Sequence, residues 1–239
     1  MNTPLLTAPE PESNYSPCPE GNHIARCFQI IDLGTRNITT GNFPGLKREV
    51  QFLFETPYET SVFDESKGQQ PYYVRLKHTL YMTEKSNLRK MIQSWLGKKF
   101  TEEEAKYFNI FSLIGMTCQV NVVHSQKGTK TYANIVSVTP MAKGMNCPDA
   151  INPLLCYTPV SHDQEAFSKL PSFIQDEIKT SEEFKNYMAQ GMESMPPAQP
   201  QRTSLPSGAQ PPSSYNPAAK SPAKTDSFLD ELDNENPPF

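Results

Sequence analysis

Residues Tyr72–Met82 read YYVRLKHTLYM. Strict alternation puts Val74, Leu76, His78 and Leu80 on one face and Tyr73, Arg75, Lys77, Thr79 and Tyr81 on the other. That is the period of a half-buried strand. The text then changes period. In SNLRKMIQSWL (Ser86–Leu96), Leu88, Met91, Ile92 and Trp95 fall at helical spacing, Thr83 or Ser86 can cap the start, and Gly97 stops it. Thr101 followed by Glu102, Glu103 and Glu104 is a capping box that opens a second short helix to about Phe108. Upstream lie HIARCFQIIDLG (His23–Gly34), rich in β-branched residues, and REVQFLFET (Arg48–Thr56), both read as strands and separated from the third by the polar connection Pro57–Pro71. Downstream, MTCQVNVVHS (Met116–Ser125) and TYANIVSVTP (Thr131–Pro140) form a hairpin through QKGTK. Three strands, a helical insert and two more strands predict a mainly β protein with short helices. The expected architecture is a five-stranded OB-fold barrel with the insert between strands 3 and 4. Another small barrel or an α+β sheet would share that order.

The rest of the chain is of a different kind. It has 239 residues, 23 of them proline, and a mean hydropathy of -0.57. The expected division is a disordered N-terminal arm over 1–20, the OB-fold domain over 21–143 and an extended and helical extension over 144–190, which the sequence leaves open to bind DNA, cap the barrel or mediate self-association. A disordered Pro/Ser-rich linker then covers 191–225 and an acidic partner-docking tip 226–239. Met1–Asn14 lacks the basic and apolar regions of a signal peptide, and no stretch is apolar enough to span a bilayer. The five cysteines form no C-x-x-C pair. A soluble cytoplasmic protein with reduced thiols, no metal, no cofactor and no membrane partner is the expectation.

Charge is unevenly placed. Residues 21–140 carry 15 Lys+Arg against 10 Asp+Glu, whereas 226–239 carry five acids and no base. There is no Walker loop, no G-x-G-x-x-G and no G-x-S-x-G, so no catalytic residue is named and an enzyme is not expected. A sequence-tolerant binder of single strands needs cations along the phosphates and flat rings under the bases. Tyr73, Arg75, Lys77 and Tyr81 supply both at period two, with Lys47 and Arg48 opening the neighbouring strand and Tyr58 and Tyr72 in the connection between them. An ordinary solvated strand face has the same composition. In the tip, DSFLDELDNENPPF, Phe228, Leu229, Asp230, Leu232, Asp233, Pro237, Pro238 and Phe239 combine apolar side chains, acids and a terminal aromatic. Such a peptide can enter a basic-rimmed pocket on a partner; a solubility tail needs acids but not those rings.

A barrel, a Pro/Ser/Gln linker and an acidic tip ending Pro-Pro-Phe resemble the layout of bacterial single-stranded DNA-binding proteins and of phage helix-destabilising proteins. HIARCFQIIDLGT, EKSNLRKMIQSWLGKKFTEEE and TYANIVSVTP look most like a family of phage-encoded OB-fold single-strand binders, over roughly 21–143. The resemblance implies a non-enzymatic protein of a bacterial host cytoplasm that coats single-stranded DNA and recruits replication or recombination proteins through its tip, with homo-oligomer formation a further option. The long segment Lys143–Met188 departs from the bacterial pattern, so tetramer assembly is not carried over. A protein-binding adaptor and a strand-annealing recombination protein are the alternatives.

Overall fold

The computed structural model describes residues 16–39, 44–128 and 130–190. The tip, the linker and most of the N-terminal arm lie outside the described residues. Strands β1 (Gly21–Ile38), β2 (Gly45–Asp64) and β3 (Gly68–Thr79) precede helices α1 (Asn87–Leu96) and α2 (Glu102–Tyr107), and β4 (Thr117–Lys127) and β5 (Lys130–Thr139) follow. The extension adds a short strand β6 (Leu155–Tyr157) and helices α3 (Gln164–Ser168), α4 (Ser172–Lys179) and α5 (Glu182–Ala189).

The main path of the sheet runs β3-β2-β1-β4-β5, antiparallel throughout, with β6 pairing parallel to β1. Among the described residues there are thus six strands rather than five. β1 is shared: Gly21–Arg26 pair with β4, and Arg26–Ile38 with β2. Register shifts at Cys27/Gln29 and Asp32/Gly34 add residues to β1, and such bulges bend a strand. The path is not hydrogen-bonded into a ring, but Cα atoms of its end strands β3 and β5 come within 8 Å.

Inside the curved sheet lies the first core. Cys27, Ile30, Phe52, Phe54, Val74, Leu76, Val120 and Val138 meet Leu88, Ile92 and Trp95 of α1. Trp95 is packed edge-on against Phe54 at 5.3 Å, and its indole N–H donates to Thr117 O at 3.1 Å. Ser86 caps α1 by accepting from Arg89 N, and Gly97 ends it with φ +62°. The capping box at Thr101–Glu104 is present at α2. Cys18 is buried in this core, 2 % exposed, so the domain begins before Gly21 and the arm is shorter than 1–20.

A second core lies on the opposite face. Phe28, Ile31 and Leu33 of β1 and Leu53 of β2 pack under Tyr157, Phe167, Leu170, Ile174 and Ile178 of the extension. Two neighbours across the sheet strap the extension down with opposite polarity. Arg26 donates to the carbonyls of Cys147 and Pro148 at 3.3 and 2.7 Å. Glu55, the rung partner of Arg26 and fully buried, accepts from Ile151 N, Asn152 N and Asn152 Nδ2 at 3.0, 3.1 and 2.8 Å. A buried carboxylate is costly unless hydrogen-bonded, and three donors meet that need. Among the described residues no helix is long and apolar enough to cross a membrane.

Candidate nucleic-acid interface

Each residue named from the sequence now has a place. Alternation in β3 holds, so Tyr73, Arg75 and Lys77 leave the sheet on the side away from the first core. That side is not an open platform. Lys77 Nζ pairs with Glu177 of α4 at 3.2 Å, and the Arg75 guanidinium lies 5.5 Å from the Phe173 ring centroid. Arg48 donates to both oxygens of Asp32 at 2.5 and 3.1 Å, and its Nε lies 3.8 Å from Glu183 of α5. Hydrogen bonding to Asp32 raises the guanidinium further above its ordinary range. Arg36 pairs with Glu49 at 2.6 Å and with Glu177 at 3.3 Å, so Glu177 bridges two strand cations.

Two of these acids, Glu183 on the extension and Asp32 on β1, are held for this role. Burial pushes the Glu183 carboxyl up, but the amide and hydroxyl of Thr35, both donating at 2.7 Å, outweigh it and leave the group below its ordinary value. Asp32 accepts from Thr158 Oγ1 at 2.7 Å and Gly34 N at 3.0 Å in addition to Arg48. Four donors on one buried carboxylate make a structural post.

Tyr72 needs a correction. Counted among the DNA-binding rings, it points inward from β3, 9 % exposed, with its ring edge-on to Phe63 at 4.9 Å. Neighbouring strand residues face opposite ways, so Tyr72 and Tyr73 cannot share one surface. Tyr73 sits at the margin of the cover, 39 % exposed and edge-on to Phe28 at 6.1 Å. Tyr58 and Tyr81 are 59 % and 55 % exposed. The Tyr58 hydroxyl donates to Asn146 O at 3.1 Å, which fixes the ring against the 145–149 loop. Tyr81 follows the end of β3, where its N–H turns back to Thr79 O. Lys47 is half-buried near the start of β2. The structure therefore leaves Tyr58, Tyr73, Tyr81 and Lys47 at the surface, and engages Arg48, Arg75 and Lys77 with the chain's own acids and a ring. The tip residues Phe228–Phe239 lie outside the described residues.

Sequence reading missed Arg26, Glu55, Asp32, Glu177, Glu183 and Phe173. Glu182 and Glu183 behind Ser181 do open a helix, but helical placement alone does not say that Glu183 reaches across to β1. Among the described residues no group of three or more His, Cys, Asp or Glu could hold a metal ion. No protein-family model matches this chain, and no curated protein matches it.

Proposed function

We propose that this chain is a non-enzymatic single-stranded DNA-binding protein on an OB-fold, of the phage replication and recombination type, with partner recruitment through the acidic tip. The observation that carries the fold is the path β3-β2-β1-β4-β5, with β1 divided between two neighbours and the end strands meeting near α1. Closing that path between β3 and β5 gives the barrel order, with the helix between the third and fourth strands. Support for the ligand comes from Tyr58, Tyr73 and Tyr81, which are 59 %, 39 % and 55 % exposed. Base–aromatic stacking is sequence-tolerant because every base has a π-face.

The test is a fluorescence titration of the full chain with oligo-dT at low salt. Replacing Tyr58 and Tyr81 together with Ala should lower affinity about tenfold or more. Lys77→Met should change it less than about twofold, because that ammonium already serves Glu177. No binding at low salt, either by the full chain or by a chain ending at Lys224, would refute the reading. A protein-binding adaptor is the second reading, favoured by the internal pairing of the strand cations; it requires that oligo-dT does not bind at all.

A further inference from the structure

Beside the Tyr58 ring is a cavity of about 230 Å³, open on one side, lined by Asn22 and Ile24 of β1, Tyr58 and Glu59 of β2, Gln119 of β4 and Met145. Its parts are of two kinds. Ile24 and the Met145 thioether present apolar surface, and the Tyr58 ring is a flat wall held by its hydrogen bond to Asn146 O. The rim is polar and already oriented. Asn121 Nδ2 donates to Asn22 Oδ1 at 2.8 Å, which leaves the Asn22 amide nitrogen to donate. Gln119 Nε2 donates to Met145 Sδ at 3.4 Å, which leaves Gln119 Oε1 to accept. Glu59 Oε1 lies 3.4 Å from His23 Nδ1. His23, 8 % exposed, donates from Nε2 to Pro19 O at 2.7 Å, so in the neutral ring Nδ1 is an acceptor and leaves the Glu59 oxygens to other donors.

A cavity with one aromatic wall and several polar groups around it matches a nucleobase, whose faces stack and whose edge forms hydrogen bonds. The rim chooses among the bases. A carboxylate only accepts, and the uncommitted Gln119 oxygen also accepts. Asn22 adds one donor. The Watson–Crick edge of guanine presents two neighbouring donors and one acceptor, the complement of this set. Cytosine, thymine and adenine each present a single donor position on that edge. We infer that the cavity beside Tyr58 is a base-reading subsite that takes guanine, with Glu59 accepting from its two N–H groups, Asn22 donating to its oxygen and Tyr58 stacking on its face. This rests on the single-stranded DNA reading above and adds a base preference to an otherwise sequence-tolerant protein.

Short oligo-dT strands carrying one central dG, dA or dC, together with the all-dT strand, test it by anisotropy titration with the full chain. The dG strand should bind about tenfold tighter than all-dT, the discrimination expected of one good bidentate pair. Glu59→Gln should bring the dG strand within about twofold of the all-dT strand when both are titrated with that variant. Tyr58→Phe, which keeps the ring, should retain the preference. Equal affinity of the wild-type chain for all four strands would overturn the subsite, as would a dG advantage that survives Glu59→Gln. An aromatic side chain of a partner protein could stack in the cavity but would give no base preference. Failure of every strand to bind is a different result: it refutes the DNA reading itself.

Discussion

Whether the outer face of β1–β3 is a core or a platform is decided by Ile178. Its side chain is 0 % exposed in the second core, on the helix that carries Glu177 to Lys77. Ile178→Ala removes three carbon groups, worth about 0.8 kcal/mol each in transfer free energy. The cavity left in the second core adds to that loss, so the expected cost is about 3–4 kcal/mol, within the range for such truncations. Glu177→Gln is the comparison. It removes two ion pairs whose carboxylate side chain is 31 % exposed, and should cost no more than about 1 kcal/mol. Urea unfolding of the full chain measures both, with the slope checked for a single transition. If Ile178→Ala costs less than about 1 kcal/mol and leaves α4 no more sensitive to protease, the extension is not docked. Arg75 and Lys77 would then be open to a ligand, and the interface drawn above would be wrong.

Gly34 has φ +74°, and a Cβ there would sit 2.5 Å from Ser181 Cβ, on the buried residue that caps α5. Gly34→Ala therefore combines left-handed backbone strain with a collision, and should destabilise by about 2 kcal/mol or more in urea, with earlier proteolysis at α5; a neutral result would show that α5 does not rest on β1. Acid should loosen two helix starts. The Lys98 ammonium and the Thr101 amide hold the Glu104 carboxyl down to about 2, against an ordinary value of 4.5. A carboxyl depressed in the folded state stabilises fully above the unfolded value and loses that contribution as pH falls towards the folded one. Amide exchange at the start of α2 should therefore quicken between those limits, and exchange at Thr35 likewise as Glu183 protonates; unchanged protection down to pH 2 would refute both. A chain ending at Lys224 lacks the five acids of the tip and should bind oligo-dT more tightly at low salt than the full chain, whereas equal affinity would show that the tip does not compete for the interface.

Much of the fold was legible because single strands and helices declare their period. YYVRLKHTLYM has one apolar face, and SNLRKMIQSWL carries its cap, its stripe and its glycine stop within a few residues. The connection Pro57–Pro71 was not legible as strand. Its prolines and polar residues suit a loop, yet β2 continues to Asp64 and β3 begins at Gly68. Register shifts between Thr56/Thr60 and Ser61/Asp64 accommodate this, since a bulge tolerates a residue that cannot donate to the ladder. The covered face left a mark that alternation alone does not decode. HIARCFQIIDL sends Cys27 and Ile30 into one core and Phe28, Ile31 and Leu33 into the other. A strand apolar on both faces needs cover on both. The cover came from residues more than a hundred positions away, and no local pattern states which distant segment provides it.

The cover also changes what electrostatics can contribute. Residues 21–140 have a net charge of +5, but 144–190 carry seven acids against three bases, so 21–190 as a whole has only +2. Four acids, Asp32, Glu49, Glu177 and Glu183, lie against Arg36, Arg48 and Lys77. In the proposed complex with single-stranded DNA, cations matched in this way would release few counterions. If two or three phosphates are neutralised, log K should fall with log salt at a slope of about -1.4 to -2.1 for single-stranded DNA. Stacking on Tyr58, Tyr73 and Tyr81 must then supply most of the affinity, and it is insensitive to salt. An oligo-dT titration across a series of salt concentrations gives the slope directly, and the chain ending at Lys224 removes the tip's own contribution. A slope steeper than about -4 would need six or more phosphate contacts. It would mean that α4 and α5 leave the sheet when DNA arrives and surrender Arg48, Arg75 and Lys77 to it.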